Sequence, residues 1–523
     1  MQLLLSKTLT PFIIGASILL TACGGGGSSG GDDNSNSGST SPQWVAGQFD
    51  NYSTLANQCS APSTQKLWLR SWSNDTYLWY DEIVDRDPAP YSVAEYFDLL
   101  KTNELSDTGS LKDNFHFSMS TAEWDLLNGS GASVGYGMTL HLRNASADVS
   151  RQVTVAFNEP NSPASNAGIS RGAIIMSVDG VIVKDANDSA SIDIINAGLF
   201  PDTSGKTTVF TVRDLNSQID RSVTLTAGSI VSSPVQNTKT IQTANGKVGY
   251  LQFNSHIATA ERGLYDAMTT LSNAQVDDLV LDIRYNGGGL LALASQLAYM
   301  VAGDDATANH VFERTSFNDK YPTIDPVTRD ALTPMPFIPE SLGFNTSLLR
   351  SGLPLPTLNL KRVFVLTTPG TCSASEALMN ALRGIDIDVI QLGDTTCGKP
   401  YGFYPTDNCD TTYFTIQFKG VNDKGFGEYS DGFIPSTNPT VDSEIPGCVL
   451  ADDLEHALGD TNERLLSAAL FYRDNNRCPA TAVAIARAPA QKAFVDPGFM
   501  LQDTRNQNVL HNNRILTPAV KGQ

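Results

Sequence analysis

Between residues 240 and 475 the hydrophobic pattern switches back and forth between a strand period and a helix period. KVGYLQF reads as a strand, 259–274 as a helix and DLVLDIR (278–284) as a strand, with a helix after Gly289. KRVFVLTT (361–368), SASEALMNALRG (373–384) and DVIQLG (388–393) repeat the alternation as strand, helix and strand. Such alternation predicts an α/β layer of parallel strands. A proline-rich stretch, 303–358, interrupts it. In a parallel layer the carboxyl ends of successive strands share one edge, so strand-to-helix junctions are where chemistry collects.

The segments before this core have a different character. Residues 45–128 carry helical patterns. Trp68, Trp72, Leu78 and Trp79 recur near helical spacing, interrupted by Asn74 and Asp75, and Ser92 with Glu95 makes a capping box. Residues 129–232 turn to short alternating strands, MTLHLRN, RQVTVAF, AIIMSVDG, TTVFTVRD and RSVTLTA, with a short helix at 162–169. That pattern is a small β-rich module. The last stretch, 479–523, is weakly patterned and is expected to dock as extended segments or to fray.

The N-terminus reads as an export signal. A single early cation, Lys7, precedes an apolar run from Pro11 to Leu20 and then small residues ending at Cys23. No other segment is apolar enough to enter a membrane, which excludes a polytopic membrane protein. Leu20-Thr21-Ala22-Cys23 resembles the bacterial lipobox, which implies lipidation at Cys23, and Gly24 rather than Asp at the next position implies the outer membrane of a Gram-negative cell. The alternative is an ordinary cleaved signal with a chance cysteine. Residues 24–43 are Gly, Ser, Asn and Asp-rich and cannot bury a core. As a flexible tether they would reach roughly 25 Å, holding the globular part, periplasmic or surface-exposed, just off the membrane.

Export puts the six remaining cysteines, Cys59, Cys372, Cys397, Cys409, Cys448 and Cys478, in an oxidising compartment. No CxxC spacing points to a metal. Among fifteen possible pairings, Cys397–Cys409 reads as a hairpin staple and Cys448–Cys478 as a clamp on the tail. The net charge is −20, with 35 basic residues against 55 acidic, so bulk attraction to nucleic acid is excluded.

Three junctions carry candidate chemistry. Gly370-Thr371-Cys372-Ser373-Ala374-Ser375-Glu376 opens a helix, whose N–H groups suit an oxyanion. Ser373 there is either a nucleophile or an ordinary N-cap, and the segment alone favours the cap. No histidine stands in a motif near it. Lys399, in Gly398-Lys399-Pro400 after the next strand, would share the same edge and serve as base if desolvated; a plain loop lysine is the alternative. Asp282-Ile283-Arg284-Tyr285-Asn286-Gly287-Gly288-Gly289 is either half of an oxyanion hole or a simple turn. GxSxG at 131–135 lacks a strand-elbow-helix setting, and Ser63-Thr64-Gln65-Lys66 lacks the companion motifs of penicillin-binding proteins. Gly205-Lys206-Thr207 lacks a P-loop's upstream glycine.

In order and spacing the three junctions resemble the S41 family of serine peptidases, the C-terminal (tail-specific) processing proteases. Ser373-Ala374-Ser375-Glu376 matches its nucleophile motif, Gly398-Lys399 its lysine 26 residues later, and 282–289 its upstream glycine motif. The resemblance covers most of the chain after the tether. It implies an α/β crotonase/ClpP-like catalytic core (233–478) behind a signal peptide (1–23), a linker (24–44), an N-terminal helical domain (45–128) and a PDZ-like domain (129–232), with a tail at 479–523. Gly135-Tyr136-Gly137-Met138 resembles the PDZ carboxylate-binding loop, and 162–180 a following PDZ stretch, with Ala173 where Asp is common. Asp431-Gly432-Phe433-Ile434-Pro435 and Leu458-Gly459-Asp460 resemble later family elements. Pro400 replaces a usual glycine, and Gly384 stands where some members have an Asp.

The implied function is a membrane-tethered endopeptidase without a cofactor or metal, acting on proteins or peptides with a free C-terminus. Ser373 would attack, a neutral Lys399 would act as base, and Glu376 would orient Lys399. Backbone N–H groups of Gly288 and Ala374 would hold the oxyanion, with Gly289 as the alternative by one register. A Cys372–Cys397 disulfide would couple the two loops. The rival readings are a tethered peptide-binding protein on an inactive protease scaffold and a crotonase-like acyl-CoA enzyme; the joint presence of Ser373, Lys399 and Glu376 weighs against the first, and the PDZ-like module and Ser/Lys spacing against the second.

Overall fold

The central strands of the core are buried along most of their length, because apolar layers cover both faces of one sheet. In the computed structural model, which describes residues 42–106, 109–143, 150–480 and 513–516, this sheet has seven strands. Their spatial order is Val235–Thr243, Gly246–Phe253, Asp278–Asp282, Arg362–Thr367, Asp388–Gly393, Glu444–Val449 and Ile434–Ser436. The first two form an antiparallel hairpin; every later pairing is parallel. Leu251, Leu279, Leu281, Val363, Val365 and Val389 pack against the helices Ala260–Ala274, Leu291–Ala302 and Ala374–Gly384. Val248, Tyr250, Val280, Phe364 and Leu392 pack on the opposite face against Arg464–Asn475. Residues that alternate along a strand thus feed two cores, which is why these segments read as continuous apolar runs.

The register decides where the junctions lie. Asp282 pairs with Leu366, and Thr367 with Gly393, so the strands ending before the glycine loop, Ser373 and Lys399 finish side by side. Gln391 is fully buried at this edge and bridges it, donating to Thr367 Oγ1 at 3.0 Å, Asp394 O at 3.1 Å and Phe433 O at 3.0 Å.

Two expectations change. The 303–358 stretch is more than an interruption, because its strand Val311–Ser316 pairs with Phe418–Val421 in a second sheet with Met335–Pro336 and Tyr401–Gly402. The helical spacing of Trp68, Trp72, Leu78 and Trp79 does not belong to one helix: the helix is Pro62–Thr76, and Leu78 and Trp79 lie beyond it. The reason is tertiary: Tyr77 turns into the core and bonds Asp113 through its hydroxyl at 2.8 Å, while Leu78 N–H donates to Ile416 O at 2.8 Å. Trp68 and Trp72 do share a helix face, stacked with centroids 5.2 Å apart against Tyr413. The Ser92–Glu95 capping box is present.

The N-terminal part joins the core, since Phe117–Ser120 pairs with Thr411–Phe414. Cys409 and Asp410, both at positive φ, form the tight turn of the hairpin Thr406–Asn408 and Thr411–Phe414. That turn aims Cys409 at Cys59, 350 residues earlier, rather than at Cys397. The hairpin-staple expectation is therefore wrong: Cys397 bonds Cys372, and nearness in sequence misled because the two cysteines face different elements. Cys448–Cys478 pairs as expected.

The β-rich module has its own core around Tyr136, Val153, Val155, Ile175, Ile195, Phe210 and Val212. Its main sheet has Met138–Arg143 as an edge strand, beside Gln152–Asn158. The module meets the core through Arg171, which bonds Asp452 at 2.9 Å, Tyr285 Oη at 2.6 Å and the carbonyls of His456 and Asp453.

Arg284 is the most heavily bonded buried cation. It donates to both oxygens of Asp282 (2.8 and 2.9 Å), both of Glu463 (2.9 and 3.0 Å) and Asp452 (2.7 Å). Removing one partner of such a cluster strands the others without water. Arg284→Met is expected to lower unfolding stability by about 3–5 kcal/mol in urea titrations; a loss below about 1 kcal/mol would show that Asp282 and Glu463 find other partners.

Candidate active site

Ser373 follows the strand Arg362–Thr367 through a short turn and precedes the helix Ala374–Gly384. Its backbone is at φ 62°, ψ −113°, a conformation foreign to an N-cap, which takes extended dihedrals. A non-glycine residue held there carries strain that surrounding bonds must impose. Those bonds are present. Thr371 Oγ1 donates to Ile283 O at 2.9 Å, Cys372 N–H to Asn286 O at 3.1 Å, and Ser375 Oγ to the same carbonyl at 3.0 Å. Of the reciprocal pair a capping box needs, Ser373 N–H to Glu376 Oε2 is a bond of 2.8 Å. Ser373 Oγ is buried and has no hydrogen-bond partner among the described residues.

Glu376 organises both loops. Its carboxylate is fully buried and accepts from Ser373 N–H, Thr396 Oγ1 (2.6 Å), Gly398 N–H (2.8 Å) and Lys399 N–H (2.9 Å). Burial raises its pKa, and the four donors pull the other way. The expected role of orienting Lys399 is thus exerted on that residue's backbone. The Cys372–Cys397 disulfide and a Cys397 N–H to Thr371 O bond of 3.0 Å join the same two loops. Cys372, Glu376 and Cys397 form a compact donor set, but with both sulfurs in a disulfide they offer no thiolate to a metal.

Lys399 is fully buried, and its amine has no hydrogen-bond partner among the described residues. It lies 4.4 Å from the centre of the Phe403 ring and 5.0 Å from that of Phe115. Desolvation drives its pKa well below the ordinary lysine range, only partly opposed by Asp113 and Glu376. Burial of this kind disfavours the ammonium form. A cavity of about 200 Å³ opens beside it, lined in part by Phe115, Gly398, Tyr401 and Asp431.

The glycine loop lies against the Ser373 turn. Gly288 N–H donates to Asn286 Oδ1 at 3.0 Å, so in this structure it is already engaged. Gly288 O accepts from His256 N–H at 3.0 Å, and Leu290 N–H donates to His256 O at 2.8 Å. Backbone groups of adjacent strand residues point to opposite sides, so Gly289 presents its own N–H and C=O away from His256. On that side Gly289 faces the strand 513–515, with which it pairs. Gly289 has φ 134°, and a Cβ there would collide with the His256 backbone, so the position needs glycine. Ala374 is the first helical residue, and its N–H has no intrahelical acceptor.

Two neighbours escaped the sequence reading. His256 is fully buried, with Nδ1 3.0 Å from Asn286 Oδ1; burial pulls it down to about 4, so the ring is neutral. Its Nε2 has no partner among the described residues. The signal was available, since His256 follows the strand Gly246–Phe253 at the same edge as the other junctions. Asn286 stood inside the quoted glycine motif without an assigned role. In the β-rich module, Gly135-Tyr136-Gly137-Met138 lies between the strands Ala132–Gly135 and Met138–Arg143, far along the chain from these loops. Tyr136 is buried, its hydroxyl bonding Thr208 Oγ1 at 2.8 Å.

The state of Lys399 has a thermodynamic signature. The unfolded lysine binds a proton below about 10.4, whereas the folded amine releases it at lower pH. Unfolding then takes up one proton, and stability falls as pH drops through this window, by about 1.4 kcal/mol per pH unit. Lys399→Met is expected to be more stable than the parent, by a margin that grows at that rate from pH 9.5 to pH 8.5. Parallel stability profiles for the two proteins would mean Lys399 keeps its proton.

Comparison with known proteins agrees with this geometry. Residues 247–417 match the profile of peptidase family S41. A carboxyl-terminal-processing protease of Picosynechococcus sp. is 27% identical over 272 residues, 52% of this chain and 55% of that protein. A chloroplastic C-terminal processing peptidase of Tetradesmus obliquus is 26% identical over 281 residues, 51% of this chain and 52% of that protein. The chain thus spans about half the length of the curated relatives it matches. In fold it is similar to a Bacteroides fragilis chain crystallised under an S41-protease designation, with a TM-score of 0.59 at 23% identity over 78% of this chain and 97% of that one. The part of the core that carries Ser373, Glu376 and Lys399 is thus the part that matches the profile of peptidase family S41.

Proposed function

We propose that the protein is a serine endopeptidase with a Ser373/Lys399 dyad, tethered to a membrane and guided to substrate C-termini by its β-rich module. One observation carries the catalytic part: a buried serine hydroxyl and a buried, unpaired lysine amine, each without a hydrogen-bond partner among the described residues, lie on loops clamped together by Glu376. Neutral Lys399 takes the Ser373 proton as Oγ attacks a peptide carbonyl and returns it to the leaving amine; water then releases the acyl group by the same steps in reverse. Ala374 N–H and a glycine-loop N–H hold the oxyanion.

The recognition part is supported by the open edge of Met138–Arg143, which follows the Gly135–Met138 loop and would accept an extended C-terminal peptide as an added strand. The anchoring part rests on the lipobox-like sequence ending at Cys23, which lies outside the described residues. Among the described residues no helix is long and apolar enough to cross a membrane.

Cleavage of an unfolded protein with an apolar C-terminus tests the dyad. Ser373→Ala and Lys399→Ala are each expected to lower kcat/KM by roughly 10³-fold or more. The parent's activity should rise with pH along a limb that reports loss of the Lys399 proton. Equal cleavage by all three proteins would reject the site. Amidation of the substrate's C-terminus is expected to raise KM about tenfold or more, since it removes the carboxylate the module would hold; unchanged KM would remove the recognition part.

A further inference from the structure

Residues 513–515 form a strand inside the site. It pairs in parallel with Gly288–Leu290, placing Arg514 opposite Gly289 and Ile515 opposite Leu290. On its other side Phe403 N–H donates to Arg514 O at 3.0 Å, and Leu516 N–H to Phe403 O at 3.2 Å. The segment therefore lies between the glycine loop and the residue whose ring faces the Lys399 amine. A substrate strand must use this space, because its carbonyl has to reach the glycine-loop N–H while Ser373 and Lys399 reach its carbon and leaving nitrogen. Strand addition holds an extended peptide by its backbone and leaves side-chain pockets to decide which peptide.

One such pocket is built for a cation. Arg514 is fully buried; its guanidinium is ion-paired with Glu313, donates to Pro400 O and approaches Tyr429 Oη at 3.4 Å. Glu313 is itself 3% exposed and comes from the strand Val311–Ser316 of the inserted stretch. Gly420 makes the room, since a Cβ there would overlap both the carboxylate and the guanidinium. A carboxylate buried this deeply calls for a positive partner. Ile515, 3% exposed, enters the apolar core beside it.

We propose that Glu313 is the specificity-determining residue of the substrate groove, selecting a peptide strand in which arginine is followed by an aliphatic residue, and that Arg514-Ile515 of the chain itself occupies this groove as an internal competitor. The proposal rests on the peptidase reading for the reaction, but the groove can be tested without it.

The experiment uses the full chain carrying Arg514→Ala and two fluorogenic peptides, one containing Asn-Arg-Ile-Leu and one Asn-Glu-Ile-Leu. Emptying the Glu313 pocket is expected to raise kcat/KM for the arginine peptide about tenfold over the parent, with a preference over the glutamate peptide of about tenfold or more. Adding Glu313→Gln should shrink that preference to about threefold or less, mainly through KM, and Glu313→Arg should reverse it. Equal turnover of the two peptides by the Arg514→Ala chain overturns the proposal, and that comparison decides alone if a Glu313 variant fails to fold. Binding of the labelled peptides to the Ser373→Ala, Arg514→Ala chain, read by fluorescence anisotropy, separates the two readings. Selective binding of the arginine peptide without cleavage by the Arg514→Ala chain keeps the groove and rejects the peptidase. Cleavage without selectivity keeps the peptidase and rejects the groove. Absence of both binding and cleavage overturns the proposal.

Discussion

The Glu376 carboxylate is the interaction on which the arrangement of the site depends. Its two oxygens accept from the Ser373 N–H, from Thr396 and from two successive N–H groups of the lysine loop. Spending both oxygens this way has a second effect. A glutamate so close to a lysine would normally hold it as an ammonium, yet here no ion pair forms with the Lys399 amine, which faces aromatic rings instead. The same group thus fixes the geometry without pairing the Lys399 amine, whose pKa desolvation lowers against the attraction that remains.

Around this clamp the surroundings add rigidity in layers. The Cys372–Cys397 disulfide joins the same loops covalently. Asn286 ties the glycine loop to both the Ser373 turn and His256. Behind it, Arg284 binds three carboxylates, and one of them, Asp452, is shared with Arg171 of the β-rich module. Tyr285 sits between Arg284 and Asn286, takes a bond from Arg171 and stacks on Phe157 at 5.5 Å. The β-rich module is therefore bonded to the residue next to the glycine loop through a continuous set of buried contacts.

Much of this was legible in the residues. Strand–helix alternation predicted the parallel layer, since strands buried on both faces must be apolar throughout. The edge rule predicted that the junctions at Ser373, Lys399 and Gly288 would meet, and the register brings them together. Other features were hidden for a common reason. The Cys59–Cys409 bond, the pairing of Phe117–Ser120 with the core, and Phe115 beside Lys399 join segments hundreds of residues apart, and no local pattern encodes such contacts. The helix ending at Thr76 instead of continuing to Trp79 is a tertiary override, since the Tyr77–Asp113 bond and the core took Tyr77 from the helix.

The sequence by itself determined the identity of the chemical groups, their order, the α/β layer and the strand ends from which the groups project, because periodicity and turn chemistry are local. Only the tertiary structure decided their state. It placed Ser373 at positive φ at the head of its helix and left the Lys399 amine without a hydrogen-bond partner among the described residues. It engaged the Gly288 N–H with Asn286 and brought Arg514 onto Glu313. Backbone strain, desolvation and ion pairing depend on what surrounds a residue in space, and those neighbours come from distant parts of the chain.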